Sequence, residues 1–443
     1  MPVSLTRKVI RDLTSGVRTI AVIIVIGFVA SALYVFYDSS MHAEDKGASS
    51  GAATTALIAR GEYLTRAADC GGCHSAPNRK PFTGGLPFKL PFGTIYSTNI
   101  TTDRETGIGS WSDDDFVRAL HRGIAPGGRH LYPAFPYTSY TGMSREDALA
   151  IRAYLNNLPA HHVVNADNSF SFPFNQRWGV AFWNLLFLED RRFTPDPTQS
   201  AAVNRGAYLA TALGHCAACH TPRNLAYGLK KSREFAGEVL RGWHAYNITT
   251  DSRFGVGAWS DAQLASYLSS AHAEGHGSAA GPMAAAVENS LQYLTPQDVG
   301  ALVAYLRTIS ARANRVEVNI ASTPVASSSD RVAGPQEPQD DVGRHIFEGT
   351  CANCHQSNGD GRQTIYASLI GSHSANDPTG ANVTQVILGG AKYRIKDQSI
   401  YMPSFGAAYS DAELAAVANY VIARFGGKAG RVTAEDVAKR RRD

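Results

Sequence analysis

Cys70-Gly71-Gly72-Cys73-His74, Cys216-Ala217-Ala218-Cys219-His220 and Cys351-Ala352-Asn353-Cys354-His355 share one pattern, and together they use all six cysteines of the 443-residue chain. Two thiols at this spacing can each add to a vinyl group of one haem, and the adjacent histidine falls where its imidazole can ligate the iron. Zinc also takes paired cysteines. Three matches with no spare cysteine, each opening a similar length of chain, favour c-type haem instead. The expectation is three covalently bound haem c groups, held by Cys70, Cys73, Cys216, Cys219, Cys351 and Cys354, with His74, His220 and His355 on the irons. No cysteine remains for a disulfide, so the compartment has to be read from the N-terminus.

Composition agrees with this reading. The length suits about three domains of ordinary size. The 41 glycines and 20 prolines suit haem pockets built from loops between short helices. A formal net charge of +4 spread over such a length implies no nucleic-acid partner. The basic run Lys439–Arg442 is the solvated end of a helix.

Thr19–Tyr37 contains no charged residue and is rich in Ile, Val and Ala. As a helix it would span about 28 Å, close to the hydrocarbon thickness of a bilayer. Arg7, Lys8, Arg11 and Arg18 precede it, which keeps that side cytoplasmic and everything after Asp38 outside. Ala30-Ser31-Ala32 resembles a signal-peptidase site, but the apolar run continues through Leu33–Tyr37, so a retained anchor is favoured. The expected location is the bacterial inner membrane, with a single-pass anchor and the haem domains in the periplasm.

An internal repeat organises the rest. Asn99-Ile100-Thr101-Thr102-Asp103 recurs as Asn247-Ile248-Thr249-Thr250-Asp251, and Trp111-Ser112-Asp113 recurs at the same offset as Trp259-Ser260-Asp261. Each haem motif follows a helical stretch carrying Gly61 and Tyr63, Gly206 and Tyr208, or Gly343 and Phe347. Each module closes with a helix opened by Ser144–Asp147, Thr295–Asp298 or Ser410–Glu413, all capping-box patterns. Tyr154, Tyr305 and Tyr420 lie ten residues past these caps and should pack the last helix on the first. The expected organisation is a cytoplasmic N-terminus (1–18), an anchor (19–37), domains at 55–160, 200–312 and 342–427, an aromatic-rich linker (161–199), a flexible linker (313–341) and a polar tail (428–443). The flexible linker suggests that the third domain is held less tightly than the others. The aromatic linker is expected to strap module one or to face a partner.

These features resemble class I cytochrome c, in which the first and last helices cross beside a haem whose sixth ligand is often methionine. The fold class expected is mainly α, with three tandem class I cytochrome c-like domains after a transmembrane helix. Apart from Met1 and Met41, the chain has one methionine per module: Met143, Met283 and Met402. They are the expected sixth ligands, since methionine opposite histidine raises haem potential and suits electron transfer. In module one the usual place of such a ligand reads Pro133-Ala134-Phe135-Pro136-Tyr137, which leaves His121 and His130 as alternatives to Met143.

Gly61–Leu64, Phe82–Gly85, Gly93–Ile100 and Leu131–Ala134 extend the likeness to the three-haem cytochrome c subunit of membrane-bound periplasmic dehydrogenases of acetic acid bacteria and related proteobacteria. This resemblance implies an electron carrier without a substrate-oxidising site of its own. It implies a catalytic dehydrogenase subunit and a small iron-sulfur subunit as partners, with ubiquinone or a terminal oxidase as acceptor. Phe172–Asn175 and Trp183–Phe187 favour an aldehyde dehydrogenase as the catalytic partner, with quinoprotein alcohol and flavin gluconate or polyol dehydrogenases as alternatives. A reading of another class is a haem enzyme with an open sixth site in domain one.

Overall fold

The computed structural model describes residues 54–312, 341–362 and 364–442. The expected N-terminus (1–18), anchor (19–37) and nearly all of the flexible linker lie outside the described residues. Among the described residues, no helix is long and apolar enough to cross a membrane.

In chain order, the first module has α1 (Thr55–Ala67), α2 (Cys70–His74), the hairpin β1 (Pro87–Leu90) and β2 (Gly93–Tyr96), and α3 (Asp113–Arg122). The short hairpin β3 (Ile124–Ala125) and β4 (Arg129–His130) and then α4 (Arg145–Asn156) follow. The linker supplies β5 (Ser169–Phe170) and α5 (Gly179–Phe187). The second module has α6 (Ala201–Tyr208), β6 (Glu238–Leu240), β7 (Trp243–Ala245) and α7 (Asp261–Ser270). It continues with β8 (His272–Ala273), β9 (Gly277–Ser278), α8 (Gly281–Asn289) and α9 (Pro296–Leu306). The third has α10 (Asp341–Ile346), α11 (Ala381–Gly389), β10 (Ala391–Ile395), β11 (Gln398–Met402), α12 (Asp411–Gly426) and α13 (Ala434–Arg442).

One close contact recurs in all three modules. A Cβ on Gly61 would lie 1.9 Å from the Ala150 carbonyl oxygen, one on Gly206 1.9 Å from that of Ala301, and one on Gly343 2.4 Å from that of Ala416. The first helix therefore touches the last backbone to backbone, and any side chain would push them apart. Tyr154, Tyr305 and Tyr420 flank these crossings, and their rings meet Phe82, Phe235 and Phe347. They are packing residues, as the sequence suggests.

The repeated Trp-Ser-Asp corner has its own clamp. Ser112 and Ser260 each form a closed capping box, with Asp115 and Gln263 respectively. From the last helix, Arg152 Nε donates to Asp113 at 2.9 Å and Arg307 Nε to Asp261 at 2.8 Å. Of the three boxes expected at the closing helices, only Ser410–Glu413 closes both halves. Ser144 and Thr295 do accept from the Asp147 and Asp298 amides, but those carboxylates turn elsewhere.

They turn to the module interface. Asp147 accepts from Arg60 of its own module and, at 2.6 Å, from the hydroxyl of Tyr208 in the second module. Reciprocally, Asp298 accepts from Arg205 at 2.8 Å and, at 2.5 Å, from the hydroxyl of Tyr63 in the first module. The same hydroxyls accept from the cap amides of Ser144 and Thr295. The two modules thus pair about a quasi-twofold axis, residue i on j and j on i, as in an isologous dimer. Leu64, Met143 and Ile151 of module one share a single core with Leu209, Leu213 and Leu302 of module two.

Module three is firmly docked, which corrects the expectation of a looser attachment. His244 and Asp377 meet at 3.0 Å with side chains 1% and 3% exposed. Asn382 bonds both the amide and the carbonyl of His244, at 2.8 and 3.0 Å. Tyr366 and Tyr393 donate to the Ser270 and Ala279 carbonyls of module two at 2.9 and 3.1 Å. The C-terminal segment is likewise more than a polar tail. Val437 of α13 is fully buried in the third core, and Arg441 holds Asp411 at 2.7 Å.

The aromatic linker straps both earlier modules. Gly93 pairs with Phe170, Phe92 stacks on Phe174 with ring centres 4.5 Å apart, and Trp183 Nε1 donates to the Ala226 carbonyl at 2.7 Å. Its outer side leaves Phe172, Leu185 and Leu186 exposed.

Two outcomes follow from these contacts. Gly206→Val should destabilise the fold at or beyond the upper end of about 1–3 kcal/mol usual for overpacking, because the obstacle is backbone; denaturant unfolding followed by circular dichroism measures it. Burial raises the Asp298 carboxyl, but hydrogen bonds from Arg205 and Tyr63 outweigh that and hold its pKa below the ordinary value. A group depressed in this way stabilises the pairing above its unfolded value of about 3.9 and loses that contribution as pH falls through the folded value. Asp298→Asn should therefore cost about 1.5–3 kcal/mol at neutral pH and leave a flatter acid limb in stability against pH.

Candidate haem sites

Each attachment motif is a short helical turn whose histidine is oriented in the same way. The Nδ1 atoms of His74, His220 and His355 lie 2.6 Å from the carbonyl oxygens of Thr98, Tyr246 and Ala367. A carbonyl accepts only from N–H, so Nδ1 carries the proton and Nε2 is left as the iron ligand. Removal from water lowers all three imidazole pKa values against the opposing pull of these carbonyls, favouring the neutral, ligating form.

Thr98 and Tyr246 are the residues just before the repeated Asn-Ile-Thr-Thr-Asp. Asn99 Oδ1 accepts from the amide and hydroxyl of Thr101 at 2.9 and 2.8 Å, and Asn247 Oδ1 does the same from Thr249 at 2.8 and 2.7 Å. Their side-chain amides tie to the carbonyls of His161 and Arg312 at the ends of the two modules. The repeat thus fixes the loop whose carbonyl aims the histidine. Sequence reasoning found the repeat but missed these acceptors; a motif shared by the two modules, preceded by a residue 24 and 26 positions beyond the respective histidine, was the available signal.

The six thiols are unpaired. Burial pushes those of Cys70, Cys73 and Cys216 up to about 12 and that of Cys351 up to about 11. Among the described residues, no three of His, Cys, Asp or Glu converge as a metal-binding group. Thiols and imidazole therefore do not share one focal point, as zinc would need. They suit a macrocycle, whose edge takes the thiols and whose centre takes the nitrogen. Bound there, haem c would supply one-electron redox chemistry.

The motifs of modules one and two are neighbours. Cys70 and Cys216 border one core cluster. The Tyr140 hydroxyl donates to the Ala68 carbonyl at 2.6 Å while its ring meets His215, 5.8 Å away. The Cys219 charge adds to the rise of the Cys73 thiol. Met283 of α8 borders a cluster built with Tyr393 and Ile395 of module three and flanked by Tyr366. Tyr366 precedes Ala367, the carbonyl partner of His355.

The sixth-ligand candidates fall in unlike places. Met402 ends β11 and borders the same core as Cys351. Met283 stands in the first turn of α8, half-buried. Met143 is fully buried among Leu64, Tyr140 and Ala148, directly before the cap of α4. It takes the place before α4 that Leu294 has before α9. His121 is buried, and burial followed by the Arg192 charge pushes its pKa down to about 4; Asp190 and Arg145 are also near it. Its ring also hydrogen-bonds the backbone of Met143. The His130 carbonyl accepts from Arg177 of the linker at 2.9 Å.

Comparison with known proteins agrees with these geometries. A cytochrome c family model matches residues 203–310, and the model for cytochrome c oxidase, cbb3-type, subunit III, matches residues 338–421. The gluconate 2-dehydrogenase cytochrome c subunit of Pantoea cypripedii is 38% identical over 411 residues, covering 88% of this chain and 91% of that protein. The fructose dehydrogenase cytochrome subunit of Gluconobacter japonicus is 35% identical over 86% of this chain and 82% of its own. The cytochrome c subunit of the quinone alcohol dehydrogenase of Gluconobacter oxydans is 33% identical over 90% and 84%. The chain belongs to the family of cytochrome c subunits of dehydrogenases, and its part is electron transfer rather than oxidation of the substrate.

Proposed function

We propose that this chain carries three haem c groups and relays electrons from a catalytic dehydrogenase subunit toward ubiquinone. The observation that carries the reading is the threefold recurrence of a histidine held at 2.6 Å by a backbone carbonyl beside a free cysteine pair. In this reading Cys70, Cys73, Cys216, Cys219, Cys351 and Cys354 attach the haems, and His74, His220 and His355 bind the irons. Met283 and Met402 complete haems two and three, whose potentials the thioether raises. Module two is the middle station, because modules one and three both pack on it.

The cofactor supplies the redox step, and the polypeptide sets spacing, potential and docking. The family supports a catalytic partner that oxidises a small alcohol, sugar or sugar acid, the substrates named for the relatives. Phe172–Asn175 and Trp183–Phe187 add an aldehyde dehydrogenase to that set. A small iron-sulfur subunit, a terminal oxidase beyond the quinone, the 19–37 anchor and an inner-membrane site facing the periplasm belong to the same proposal, as do the domain limits 55–160, 200–312 and 342–427.

Membranes containing the complex provide the test. Substrate should reduce the haem absorbance and ubiquinone should reoxidise it. Deleting this chain should abolish substrate-to-ubiquinone transfer by tenfold or more while reduction of an artificial dye by the catalytic subunit persists. Undiminished ubiquinone reduction without the chain would refute the relay.

A further inference from the structure

Modules one and two are alike enough that residues can be matched through the fold. α3 ends at Gly123 (φ 65°) and α7 at Ala271 (φ 59°), both left-handed. Leu131 N–H donates back to the Gly123 carbonyl at 2.7 Å, and Ala279 N–H donates to that of Ala271 at 2.8 Å. The hairpins pair in the same register, Ile124 with His130 and His272 with Ser278. Four residues beyond Leu131 stands Phe135, and four beyond Ala279 stands Met283. Phe135 therefore takes the position in module one that the ligand methionine takes in module two. Its ring packs on Tyr140, 5.5 Å away, beside the cluster that Cys70 borders.

The other candidates in module one have different work. Met143 immediately precedes the cap Ser144, as Leu294 precedes Thr295 and Tyr409 precedes Ser410. This is the position of a hydrophobic staple, whose side chain packs on the fourth residue of the helix. That residue is Ala148, in the same buried cluster as Met143. His121 hydrogen-bonds the backbone of Met143, with Asp190 and Arg192 of the linker nearby. His130 matches Ser278, whose hydroxyl pairs with His272 Nδ1 at 2.9 Å and meets the Tyr366 carbonyl of module three at 3.4 Å.

From this, the geometry points to a small-ligand site on haem one: its sixth position faces Phe135, holds no protein ligand, and in the ferrous state binds a diatomic π-acceptor of the carbon monoxide or nitric oxide class. The inference rests on the reading that Cys70–His74 holds a haem. Replacing methionine by a phenyl ring also removes the thioether that raises potential, so haem one should have a lower potential than haems two and three.

The test uses the full-length holoprotein, reduced with dithionite without denaturant and exposed to carbon monoxide. The difference spectrum should titrate to one carbon monoxide per polypeptide. Phe135→Met should abolish that binding and add one methionine-to-iron charge-transfer band in the oxidised protein, whereas Met143→Leu should leave both spectra unchanged. Absence of carbon monoxide binding in the unaltered protein would overturn the inference, as would new binding created by Met143→Leu. A pyridine haemochrome ratio of two haems per chain, rather than three, would sink the underlying three-haem reading instead.

Discussion

Two carboxylates, Asp147 and Asp298, hold the first two modules together, and the geometry of the relay depends on them. Each is nearly buried, each is gripped by an arginine of its own module, and each receives the hydroxyl of a tyrosine from the other. Loss of either tyrosine or arginine would leave a buried charge short of partners, the condition under which such pairs become strongly destabilising. Because the contacts are reciprocal, they set rotation as well as distance between the modules. The consequence is that Cys70–His74 and Cys216–His220 come together against one shared core.

Module three joins module two by other means. A buried His244–Asp377 pair, the two-way Asn382 bond and tyrosine hydroxyls on backbone carbonyls replace the tyrosine–aspartate lock. Tyr246 belongs to both structures. Its carbonyl aims His220, and its ring lies between His244 and His373, with centres 4.5 and 5.0 Å away. Docking of the third module thus presses on the residue whose carbonyl aims His220, so stability and the setting of that histidine share residues there.

Much of this was legible in the chain. The three cysteine pairs and their histidines marked the three short helical turns whose histidines share one backbone-carbonyl partner geometry. The glycines eight to ten residues before each haem motif gave the helix crossings, and the Asn-Ile-Thr-Thr-Asp repeat gave the duplication. What escaped was relational. Tyr63 and Tyr208 each stand two residues past their crossing glycine, where module three has His345, and that module takes no part in the reciprocal pairing. The low-complexity linker suggested a loose third module because composition describes a connection, whereas docking is decided by buried polar groups far apart in sequence. The count of one methionine per module says nothing of where Met143 lies, fully buried and directly before the Ser144 helix cap. The partners of the histidines are backbone carbonyls, which no residue type announces.

The central claim is that module pairing sets haems one and two side by side as adjacent stations of a relay. Electron paramagnetic resonance of the fully oxidised holoprotein, compared with a Cys70→Ala/Cys73→Ala variant lacking haem one, tests it most directly. The account predicts dipolar broadening or splitting of the haem-two signal that disappears in the variant. A holoprotein spectrum equal to the sum of three independent haem signals, with haem two unchanged by the loss of haem one, would contradict it.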